Sequence, residues 1–68
     1  MEEWQQRLLD EKRELLDKIS KLCIFINMDI FGNLSDADQA LLHLQLSIMK
    51  AYVAVLKART VSLKIEEK

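Results

Sequence analysis

Sixty-eight residues with no proline, one glycine, half hydrophobic and 31% charged exclude a disordered tail and favour helix over sheet. Ten basic against eleven acidic side chains give a net charge of −1. That balance argues against duplex DNA or RNA as a partner, because neutralising many phosphates calls for a basic excess. The single cysteine, Cys23, excludes an internal disulfide and fits a reducing cytosol. The acidic start Met1-Glu2-Glu3-Trp4 predicts no signal peptide. Unbroken apolar runs such as Leu22 to Ile26 are too short to cross a bilayer, so no membrane partner is expected.

The first helix is expected over residues 2–28. Its outer face carries acid-before-base pairs four apart, Glu3 with Arg7, Glu14 with Lys18 and Asp17 with Lys21, each worth a few tenths of a kcal/mol. Its inner face is read as Leu8, Leu9, Leu15, Leu16, Ile19, Leu22 and Ile26. Lys12 interrupts that stripe, either with its stem snorkelling out of the seam or with its ammonium held for a ligand or an ion pair. The chain breaks once, over residues 29–35, where Ile30-Phe31-Gly32-Asn33-Leu34 has turn chemistry. Ser35 is suited to cap the second helix, and Asp36 and Asp38 place negative charge at the positive end of its dipole. That helix is expected over residues 36–65, with Glu66-Glu67-Lys68 frayed. A short turn between two long helices makes an all-α, antiparallel two-helix hairpin, one domain over residues 1–68.

Gln45, Tyr52 and Arg59 recur at seven-residue spacing on the second helix, inside an arc that also holds Leu41, Leu42, Ile48, Met49, Leu56 and Leu63. Residues seven apart drift only about 20° around a helix, so this reads as a polar row in a core-facing line. A buried arginine must be paired, bind something or fix an assembly, because an unpaired buried charge costs several kcal/mol. Antiparallel pairing brings Trp4, Arg7, Glu11 and Lys12 near the level of Tyr52 and Arg59. Glu11 is placed to neutralise Arg59, with Tyr52 and Gln45 completing the hydrogen bonds. One reading is a polar network that sets register or oligomer state. The other is a site, with Arg59, Lys12 and Arg7 for phosphates, Tyr52 and Trp4 for stacking on a base, and Gln45 for reading an edge.

A lone hairpin is short of core, because ordering a chain of this length costs on the order of 100 kcal/mol. Apolar residues exceed one stripe per helix. Residues 22–26 are apolar all round, Leu44, Val55 and Val61 lie outside the main arc, and Ala51, Ala54 and Ala58 form a small-residue strip. A homo-oligomer, dimer or higher, is therefore expected as a helical bundle. Catalysis and metal binding find no support. Cys23 has no base near it in sequence, His43 stands alone on the polar side, and no ligand spacing or phosphate loop is present, so neither an enzyme nor a cofactor is expected.

The pattern Leu22-x-x-Phe25-Ile26, Phe31-x-x-Leu34, Gln39-x-Leu41-Leu42-x-x-Gln45 and Met49-x-x-Tyr52-x-x-x-Leu56-x-x-Arg59 resembles a family of small phage and prophage helical-hairpin proteins. These are hypothetical proteins related to a small crAss-like phage protein. The resemblance covers about residues 7–63. Gln45, Tyr52 and Arg59 match the family pattern position by position, Arg7 and Glu11 more loosely. It implies a phage origin, a helical hairpin and action in the host bacterial cytoplasm, and it carries no activity of its own. By analogy of class, small oligomeric phage proteins without catalytic groups include sponges that sequester the nucleotide signals of bacterial immunity. That anti-defence role, with the nucleotide held in interhelical pockets, is the leading expectation. The alternative is an interaction or adaptor protein binding a host or phage protein, with the polar row serving assembly alone.

Overall fold

The computed structural model describes residues 2–65 and shows two antiparallel helices joined by a tight bend. Helix α1 spans Glu3–Ile26, a 3-10 turn spans Asp29–Asn33, and helix α2 spans Asp36–Ser62. The molecule is a rod with extents of 46 × 17 × 14 Å. It follows that residues early in α1 lie beside residues late in α2.

Each end of each helix has a chemical cause. At the start of α1 the Gln5 side chain reaches back 3.0 Å to accept the backbone N–H of Glu2, half of a capping box. Its last turn is closed by Asn27, whose side-chain amide donates to the Cys23 carbonyl at 2.8 Å. Ser35 caps α2 as its type predicts, accepting the Asp38 N–H at 3.1 Å. The Gln39 side chain ties the same corner by donating to the Leu34 carbonyl at 2.9 Å.

The bend is held by a ring rather than by its glycine. Phe31 is buried, edge-on to Phe25 at 6.0 Å and to His43 at 5.5 Å. Gly32 has no positive φ, and nothing lies within 4 Å of where its Cβ would stand. The turn chemistry expected of Gly32 is therefore unused, because a 3-10 turn needs only ordinary negative φ values.

Helix α2 ends at Ser62, three residues before the expected boundary. Lys64 takes a left-handed φ of 55°, the Lys64 N–H donates to the Val61 carbonyl, and the Ile65 N–H donates to the Thr60 carbonyl, both at 3.0 Å. These two bonds make a Schellman ending with lysine where glycine is usual. The reversal folds Ile65 back into the core cluster beside Leu8, Leu9 and Leu56. The expected fraying of residues 66–68 lies outside the described residues.

Two heptad seams meet between the helices. On α1 the seam is Leu8, Lys12, Leu15, Ile19, Leu22 and Ile26, and on α2 it is Leu42, Leu46, Met49, Val53, Leu56 and Thr60, all buried or half-buried. Leu56 is fully enclosed. Thr60 turns its hydroxyl inward and donates it to the Leu56 carbonyl at 2.8 Å, so its burial leaves no polar atom wanting. Leu16, expected inside, is exposed, because the alternating spacing of four and three passes through Leu15 and leaves its neighbour about 100° away.

Helix α2 has a second apolar side. Leu41, Leu44, Ile48 and Val55 are each more than half exposed. An 18-residue window of the helix is long and apolar enough to cross a bilayer by length and composition, and little of it is buried. An unbroken apolar run is too strict a measure here, since single polar residues such as Gln45 and Lys50 interrupt the run without lowering the window much.

Candidate functional site

The structure turns the polar row out of the core. Gln45, Tyr52 and Arg59 are all exposed, Tyr52 by 43%. The expectation that they occupy the core-facing line is corrected by one helical step. The buried line runs through Leu42, Leu46, Met49, Val53, Leu56 and Thr60, and the row lies roughly a quarter-turn from it, between the inner seam and the outer apolar side. A wide apolar arc misleads about its centre when it is two seams side by side.

The row is not idle on the surface. Tyr52 donates its hydroxyl to the Glu11 carboxylate of α1. This contact raises the Tyr52 pKa above its ordinary value of 10.0, first because the hydrogen bond favours the protonated phenol. Partial desolvation and the Glu11 charge push the same way, and the Arg59 charge opposes them. Glu11 was expected to neutralise Arg59. It takes the phenol instead, which leaves the guanidinium exposed two turns further along α2.

The remaining expected site residues separate. Lys12 is buried at 8% exposure within the helix seam and is not without a partner. Arg7 is paired to Glu3 at 2.5 Å along its own helix, both side chains well exposed, and Asp17 and Lys21 pair in the same way at 2.9 Å. Trp4 is half exposed near the start of α1. The Gln45 side-chain amide donates to the Met49 sulfur at 3.9 Å. The structure thus joins Glu11, Tyr52 and Arg59 electrostatically, leaves Gln45 in line with them, and sets Lys12 apart.

Among the described residues the hairpin opens no pocket between its helices. The outer side of α2 was under-read in the sequence. Its signal is the spacing of Leu41, Leu44, Ile48, Ala51, Val55 and Ala58, which alternates three and four like the inner seam.

A family model described as Sequestin matches residues 2–62, and the chain belongs to the Sequestin family. The comparisons with curated proteins and with solved structures find no match.

Proposed function

We propose that this Sequestin-family chain is a phage-encoded, non-catalytic binding protein that sequesters a nucleotide immune signal in clefts between hairpins of a homo-oligomer in the host cytoplasm. The observation that carries the reading is the Glu11–Tyr52–Arg59 arrangement. An exposed aromatic ring is held in place by a hydrogen bond from the other helix, with a guanidinium in line with it and no part in the hairpin's own core. The ring supplies a stacking platform for a base, Arg59 supplies charge for a phosphate, and Gln45 supplies an amide for an edge. Trp4 and Arg7, exposed on α1, extend the same chemistry. The family's name, which denotes sequestration, and the resemblance to small phage proteins, including the crAss-like relative, support a role in holding a ligand.

A specific observation also favours a second reading. The exposed apolar side of α2 is the kind of surface that binds another protein, and the polar row would then serve assembly in an adaptor for a host or phage protein.

One experiment separates the two. The protein is incubated with a panel of signalling nucleotides, free ligand is removed, the protein is denatured, and what is released is identified. Intact nucleotide recovered in proportion to protein supports sequestration, and its retention weakens as salt rises and on Arg59→Gln. Cleaved product would make the protein an enzyme, and no retained nucleotide across the panel would turn the assignment to the adaptor.

A further inference from the structure

We infer that a second copy of this chain covers the outer side of α2, running antiparallel to it in a register that sets Leu41 against Ala58 of the partner subunit. The inference rests on the oligomer invoked above and is independent of the ligand.

Leu41, Leu44, Ile48, Ala51, Val55 and Ala58 recur at alternating spacings of three and four, the signature of a line built to meet another helix. Its large members are more than half exposed, so the hairpin's own core does not account for them. Antiparallel pairing that uses all six positions has one register. Leu41 meets the partner's Ala58, Leu44 meets the partner's Val55, and Ile48 meets the partner's Ala51. Leu41 and Ile48 each face an alanine, which is how facing layers interdigitate without voids or overpacking. A parallel pair would stack like on like, leucine against leucine and alanine against alanine.

The flanks agree with that register. Asp38, Gln45, Tyr52 and Arg59 form one edge of the line at seven-residue spacing. The twofold brings Asp38 to Arg59 of the partner subunit and Gln45 to Tyr52 of the partner subunit, so opposite charges meet at both ends of the seam and two hydrogen-bonding groups meet in its middle. A parallel pair would set this edge against the partner's uncharged edge and leave Arg59 with no opposite charge across the seam. The other edge, Ala40, Ser47, Ala54 and Val61, carries no charge and lets the helices close up. A lipid surface would select neither an alternation of large and small residues nor a matched pair of charges.

This dimer completes the polar row, which in one chain is a line of separate groups. Each Tyr52 acquires a glutamine from across the twofold, and a phosphate arriving at Arg59 competes with the partner's Asp38.

The test uses the full chain with Cys23→Ala, and Leu41→Cys and Ala58→Cys made separately. Mixed in equal amounts and oxidised, the two variants are expected to give the mixed disulfide, with neither linking efficiently to itself. Self-linking of Leu41→Cys would show a parallel pair and overturn the register. Sedimentation of the unmodified chain supplies an independent readout: a folded monomer at tens of micromolar, free or gathered onto lipid vesicles, overturns the interface. Arg59→Asp is expected to weaken the dimer roughly tenfold, and adding Asp38→Arg to recover most of it. A dimer linked in this register that retains no nucleotide leaves the interface standing and removes the ligand reading. Nucleotide retained without the mixed link does the reverse.

Discussion

Tyr52 and Glu11 lie 41 positions apart in sequence and share a hydrogen bond across the two helices. The bond fixes an exposed ring by its polar end and leaves its face open. A tyrosine free to sample its rotamers would lose that freedom on binding; one already held has less to lose.

Ionisation of Tyr52 should report this contact. Its pKa is raised in the folded chain by the Glu11 bond, by desolvation and by the Glu11 charge. The group therefore stabilises the fold fully below the unfolded tyrosine value, and that contribution is lost as pH rises through the raised folded value. An ultraviolet titration of the chain's single tyrosine should show a transition later than that of the unfolded chain, and Glu11→Gln should move it back. A transition at the ordinary value in the unmodified protein would mean that the bond does not form in solution.

Lys64→Gly should stabilise the hairpin. Lys64 holds a left-handed φ of 55° to complete the Schellman ending, a conformation costing a non-glycine residue about 1–2 kcal/mol. Glycine is more flexible when unfolded, so the net gain is about 1 kcal/mol, read as a higher melting temperature. A loss on substitution would show that the lysine side chain serves a purpose its backbone does not reveal.

Gly32→Ala should be neutral or raise stability by about 0.4–1 kcal/mol. The position has no positive φ and open space where the methyl would stand, so alanine restricts the unfolded chain without straining the folded one. Thermal denaturation decides the sign. Phe31→Ala in the same bend should instead cost about 3–5 kcal/mol, because it removes a buried ring from between Phe25 and His43.

Lys12→Met should lower the melting temperature, because Lys12 is buried and not without a partner, and removing one side of a buried polar interaction strands the other. Nucleotide retention should not change, since Lys12 lies in the seam. Loss of retention in a variant that melts normally would return Lys12 to the site.

The hairpin was legible in the sequence because its signals are local. Ser35 and Asp38 mark a helix start whatever surrounds them, and Glu3–Arg7 and Asp17–Lys21 pair along a single helix. The facing of α2 was not. Leu41 and Leu42 are adjacent, equally apolar and about 100° apart, and only packing against α1 decides which turns inward. With Leu42 inside, Gln45, Tyr52 and Arg59 turn out to the surface. The ending of α2 was hidden for a related reason. A lysine at the left-handed position gives no sign in sequence, since the usual mark there is glycine and the only glycine lies in the bend. Likewise the Glu11 partner depended on which of two nearby groups the register favoured, and the phenol took it.

The folded-back Ile65 gives the hairpin a clasp. It lies beyond residue 62, where the family match stops, yet it packs with Leu8 and Leu9 from the other end of the chain. A fragment cut at the family boundary would keep both helices and lose the residue that latches their open ends together. Its first two turns would then meet water on a side that the intact chain keeps dry.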